Sequence, residues 1–68
     1  MEEFAKRLKE LRIENRLSQS DFGKLLNVSQ DTISLWERGK SYPSFDLLYK
    51  ICKTFSISAD YLLDLDNT

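Results

Sequence analysis

The stretch Ser18-Gln-Ser-Asp-Phe-Gly-Lys-Leu-Leu-Asn-Val-Ser-Gln-Asp-Thr-Ile-Ser-Leu-Trp-Glu-Arg-Gly39 decides how the rest of this chain is read. It divides at Asn27 into two short helices. Ser18 and Asp21 resemble a capping box opening the first, whose core side chains are expected to be Phe22, Leu25 and Leu26. Gly23, inside it, costs roughly 1 kcal/mol of helix propensity against alanine, so a close helix–helix approach is expected there. Asn27 suits the left-handed residue that ends a helix. Ser29 can cap the second helix, and Gly39 terminates it. Around that helix Ile33 and Trp36 point one way, with Thr32 on their flank. Gln30, Asp31, Ser34, Leu35 and Arg38 point the other. A helix with such faces can keep its back in a core while its front enters the major groove of duplex DNA.

The flanks supply the rest of that core. Phe4, Leu8 and Leu11 recur at i, i+4, i+7, with Lys6, Lys9, Glu10 and Glu14 on other faces, which predicts an amphipathic helix over residues 2–15. Arg12 lies at the edge of the apolar stripe. Pro43 and Ser44 start a fourth helix, with Leu47, Leu48, Ile51, Cys52 and Phe55 on its buried face and Tyr49, Lys50 and Lys53 outside. Ser58-Ala-Asp60 opens a short last helix with Tyr61, Leu62 and Leu65 inward. Trp36 and Tyr61 read as core rather than as stacking platforms for single strands. Ile13 and Leu63 fall on the wrong side of their helices for the core and are candidates for a subunit interface. No β alternation, repeat or linker is visible. The pattern predicts an all-α fold of five short helices, one domain over 1–68, with its central motif at about 18–38.

A chain of 68 residues buries only about 60% of its unfolded surface, so nearly every apolar side chain is needed. Its 41% apolar and 31% charged residues fit a folded soluble domain rather than a disordered tail. Cys52 is the only cysteine, which excludes an internal disulfide and suggests a small buried residue in a reducing compartment. With no histidine, no glycine-rich phosphate loop and no cluster of metal ligands, no catalytic residue, metal or cofactor is expected. No apolar run approaches about 18 residues, and the N-terminus is acidic then amphipathic, so neither a membrane span nor a signal peptide is expected.

The net charge of −1 argues against indiscriminate nucleic-acid binding. Its distribution matters more. Residues 1–43 hold eight Lys/Arg against seven Asp/Glu, whereas 44–68 hold two against four, the surplus lying in Asp60, Asp64 and Asp66. Affinity per monomer should be modest.

Four segments, in order and spacing, carry a family likeness: Leu17-Ser-Gln-Ser-Asp-Phe-Gly23, Val28-Ser-Gln-Asp-Thr-Ile-Ser-Leu-Trp-Glu-Arg-Gly39, Tyr42-Pro-Ser44 and Ile57-Ser-Ala-Asp-Tyr-Leu-Leu63. Over about residues 4–65 the chain resembles the Cro and phage-repressor-like helix-turn-helix family, also called the xenobiotic-response-element family. The resemblance implies a lambda-repressor-like domain whose recognition helix spans about 29–38. It implies that Gln19 starts the second helix, touches a phosphate and braces the first polar residue of the recognition helix. Gln30, Asp31, Ser34 and Leu35 occupy positions from which relatives reach base edges. Lys40, Tyr42 and the amide end of the helix begun by Ser44 would meet the DNA backbone on the far side. Ser18, Ser29, Thr32 and Arg38 complete the expected DNA-contacting set. The resemblance also pairs Arg12 with Glu37 as a structural salt bridge, and the helical wheels independently put both at the margins of their apolar faces. Two positions depart from the family pattern, Gly23 within the second helix and Asn27 where a glycine is usual in the turn.

Each site residue has a plainer reading beside the functional one. Gln30 has the donor and acceptor geometry that matches adenine N6 and N7, or it is a solvated helix residue. Asp31 can accept from cytosine N4 and repel other contacts, or it merely favours the helix N-terminus. Leu35 can pack on a thymine methyl, or it is one more exposed leucine. Ser34 is short enough for a base, a phosphate or water. Arg38, Lys40 and Tyr42 cluster around Gly39, where a backbone strand is a better match than an ordinary charged loop. The function expected is a sequence-specific regulator of transcription, a repressor, cytoplasmic in a bacterium or its phage and acting as a homodimer on a palindromic duplex operator. No small-molecule ligand is evident. The alternative is a protein-interaction module, antitoxin-like or regulator-binding, in which the same scaffold binds a protein through its last helix with weak or no DNA contact.

Overall fold

Serines set where the helices begin. In the computed structural model, which describes residues 2–65, α1 runs Glu2–Glu14, α2 Gln19–Leu26, α3 Gln30–Glu37, α4 Phe45–Phe55 and α5 Ala59–Leu63. The hydroxyls of Ser18, Ser29, Ser44 and Ser58 accept from the backbone N–H groups of Asp21, Thr32, Leu47 and Tyr61 at 3.0, 3.1, 3.3 and 3.1 Å. Each such cap contributes about 1 kcal/mol, because it satisfies an amide that the first helical turn leaves without a partner. The described residues contain no strand. Asp66, part of the acidic surplus, lies outside the described residues.

The core gathers one stripe from every helix: Phe4, Leu8 and Leu11 of α1, Phe22 and Leu26 of α2, Ile33 and Trp36 of α3, Ile51 of α4 and Leu62 of α5. Leu47, Leu48, Cys52 and Phe55 pack against it half-buried, and Phe55 meets the Phe22 ring at 5.5 Å between centroids. Burial pushes the Cys52 thiol above its ordinary pKa, which leaves it a poor nucleophile.

Four apolar positions differ from the sequence expectation. Leu25 is 47% exposed rather than core, because α2 packs along the Phe22–Gly23–Leu26 line and turns Leu25 outward. Leu65 lies beyond the end of α5 and is exposed, since the left-handed Asp64 stops the helix one residue earlier. Tyr61 is exposed rather than inward. Its ring lies beneath the Arg7 guanidinium, 4.6 Å from the ring centroid, while Arg7 also donates to the Tyr61 carbonyl and stands 3.3 Å from the Asp64 carboxylate. Leu63, expected outward, is half-buried against the core, whereas Ile13 is exposed.

Gly23 answers to the turn rather than to a neighbouring helix. The chain folds back after Asn27 so that the Val28 N–H reaches the Gly23 carbonyl at 2.9 Å. A Cβ at Gly23 would stand 2.6 Å from the Val28 carbonyl oxygen, a backbone atom that cannot swing aside. Gly23→Ala gains about 1 kcal/mol of helix propensity. Overpacking costs typically 1–3 kcal/mol. The clash wins, so the melting temperature should fall by about 4–8 °C, the shift expected for a net loss near 1 kcal/mol in a domain of this size. Thermal unfolding followed by circular dichroism checks this, and a higher melting temperature would contradict it.

Candidate nucleic-acid interface

Helix α3 is anchored from behind and open in front. Ile33 and Trp36 are 0% and 2% exposed, whereas Gln30 and Asp31 are exposed, Leu35 is 38% exposed and Ser34 is half-buried. Ser29 caps the helix, and its hydroxyl lies 3.0 Å from that of the half-buried Thr32. Asp31 sits in the first turn, where the helix dipole favours a carboxylate. The helix closes on Arg38, and Gly39 turns the chain away at φ 71°. The outward face therefore presents an amide, a carboxylate, a hydroxyl and a short apolar side chain. Such groups suit base edges and a thymine methyl.

A largely enclosed ion pair fixes the far end of α3 to α1. Arg12 Nε and Nη2 donate to the two Glu37 carboxylate oxygens at 2.6 and 3.1 Å, and Arg12 Nη1 donates to the Leu17 carbonyl at 2.9 Å. The two side chains are only 12% and 3% exposed. The pairing expected of Arg12 and Glu37 is thus present and doubly bonded. Gln19, at the start of α2, joins this pair: its amide Nε2 donates to Glu37 Oε1 at 3.2 Å.

The remaining candidates split into two groups. Arg38 is exposed but folds its guanidinium back, Nε donating to the Ser34 carbonyl and hydroxyl at 3.3 and 3.2 Å. Lys40 is exposed just past Gly39, and Tyr42 is 47% exposed with its ring edge-on to Phe4 at 6.1 Å. Ser18 and Ser44 spend their oxygens as caps, which aligns the first amides of α2 and α4 and leaves both hydroxyls able to donate. Phe45, the first residue of α4, is 89% exposed and was not among the sequence-derived candidates. An aromatic directly after Pro43-Ser44 and off the Leu47–Ile51–Phe55 stripe was its only signal. Among the described residues no group of His, Cys, Asp or Glu side chains is arranged to hold a metal ion, and no helix is long and apolar enough to cross a membrane.

Comparison with known proteins extends this geometry. A family model described as helix-turn-helix matches residues 8–62. The chain is 43% identical over 61 residues to the HTH-type transcriptional activator BcrR of Enterococcus faecalis, a match covering 90% of this chain and 30% of that protein. It is 36% identical over 61 residues to the HTH-type transcriptional regulator ImmR of Bacillus subtilis (strain 168), covering 90% of this chain and 48% of that protein. The chain thus spans less than half the length of either relative. Among solved structures, the P22 c2 repressor in complex with a synthetic operator superposes with a TM-score of 0.80 at 32% identity, covering 87% of this chain and 89% of that one.

Proposed function

This chain belongs to the helix-turn-helix family, and on that premise we propose that it is a sequence-specific regulator of transcription that binds double-stranded DNA and represses by occupying its site. One observation carries the reading: the outer face of α3 is free and polar while its inner face, Ile33 and Trp36, is locked into the core. In this reading α3 enters the major groove with Gln30, Asp31, Ser34 and Leu35 toward base edges. Ser18, Gln19, Ser29 and Thr32 lie toward one phosphate strand, and Arg38, Lys40, Tyr42 and Ser44 toward the other. The likeness to a repressor that was solved on an operator supports this placement. One recognition helix reads few base pairs, so the chain acts as a homodimer on a palindromic operator, with half-sites about one helical turn apart. The proposed place of action is the cytoplasm of a bacterium or its phage.

Selection from a random duplex pool, followed by a salt titration of the selected duplex, tests the proposal. The expected outcome is an enriched motif with two-fold symmetry. The logarithm of affinity should fall linearly with the logarithm of salt, by about 0.9 for each phosphate neutralised. No enriched motif, together with an affinity indifferent to salt, would favour a protein partner instead.

A further inference from the structure

Among the described residues Phe45 is the most exposed large apolar side chain, at 89%, and the core does not use it. It is the first residue of α4, directly after the Ser44 cap. The Cα–Cβ bonds of a helix tilt toward its N-terminus, so a side chain in the first position leans over whatever that helix end faces. In the reading above that end, together with Tyr42 and Ser44, faces a backbone strand of the duplex. The local charge decides which part of the strand it suits. From Ser41 to Asp46 the chain has no lysine or arginine, and its one charge is the exposed carboxylate of Asp46. A phosphate gains little there, because the carboxylate repels it and offsets the positive end of the helix dipole. The deoxyribose between two phosphates offers instead an uncharged C–H surface that a phenyl ring can cover. We propose that the Phe45 ring packs on a deoxyribose of that strand, a contact that positions the domain without reading sequence; the inference rests on the DNA reading above and adds a residue to it. Tyr49 is 66% exposed but lies about 6 Å farther along the helix axis, and it stays in solvent.

Titration of the selected duplex, and of duplexes changed at single base pairs, at two salt concentrations tests the contact. Phe45→Ser should lower affinity about tenfold, the loss expected for a partly covered ring. The factor should be the same for every duplex, and the salt slope should not change, because packing on a sugar releases no counterion. Phe45→Leu should retain most of the affinity, and Tyr49→Ser should bind as the unchanged chain does. With p-benzoylphenylalanine in place of Phe45, light should attach the protein to a sugar C–H bond of one strand. The same group in place of Tyr49 should not attach. Both positions are exposed, so circular dichroism should report an intact fold for every variant. Phe45→Ser binding as tightly as the unchanged chain overturns the inference, as does an equal loss in Tyr49→Ser. A loss confined to one base pair gives the ring to a base, and a shallower salt slope gives this helix end to a phosphate; either also overturns it. In each of these outcomes the unchanged chain still binds its duplex, so the DNA reading survives. An unchanged chain that binds no duplex sinks that reading, and the Phe45 contact with it.

Discussion

Glu37→Ala is expected to cost about 3–5 kcal/mol of stability, most of what a domain this small possesses. Arg12 and Glu37 are 12% and 3% exposed. Removing the carboxylate leaves the guanidinium enclosed with the Leu17 carbonyl as its remaining acceptor, and it also takes the acceptor of Gln19. An uncompensated buried charge costs far more than an ion pair contributes, so this substitution should outweigh the loss of any one serine cap. The melting temperature should fall by more than about 12 °C, at 4–8 °C for each kcal/mol in a domain of this size. Arg12→Met/Glu37→Leu should lose much less than the two single alanine variants summed, because neither charge is stranded. A fall below about 4 °C for Glu37→Ala would mean that water reaches the pair and screens it. The outcome bears on the interface as well, since this pair is what joins the end of α3 to α1.

The ion pair was legible through the family resemblance, which names the partners; the helical wheels add only that each residue sits at the margin of an apolar stripe. The helices were legible in the residues themselves. Serine caps and i, i+4 spacing act locally and need no tertiary information. Local pattern failed where a third element chose among equivalent faces. Phe22, Leu25 and Leu26 are equally apolar, and only the return of the turn onto Gly23 selects the Phe22–Leu26 line and exposes Leu25. Tyr61 has an apolar body and a carbonyl at a helix end, and the reach of Arg7 from α1 decided its position. Helix ends were equally opaque. Asn27 announces a left-handed residue, but Arg16, Ser56 and Asp64 adopt φ values of 58°, 55° and 60° with no glycine to signal them.

The proposed interface makes its sharpest statement in the contrast between Gln30 and Lys40. Both are exposed and lie on either side of the helix end at Arg38 and Gly39. An amide can donate and accept in one plane, matching one base edge, whereas an ammonium on a flexible stem meets any phosphate. Gln30→Ala should therefore reduce affinity for the selected duplex by about 1–3 kcal/mol and erase the preference at one base pair of each half-site. The size of that loss should depend on which base occupies the position. Lys40→Ala should weaken all duplexes by a similar factor, and the salt slope should become shallower by about one for each contact removed. Titrating both variants against duplexes changed at single base pairs, at two salt concentrations, gives a different pattern for each. If Gln30→Ala lowered every duplex equally and changed the salt slope, the residue would be a backbone contact and α3 would be seated differently in the groove. If neither substitution mattered while the fold stayed intact, the free face of α3 would not be the reading surface. Stability measurements on the same samples keep these outcomes distinct from unfolding, because both side chains lie outside the core.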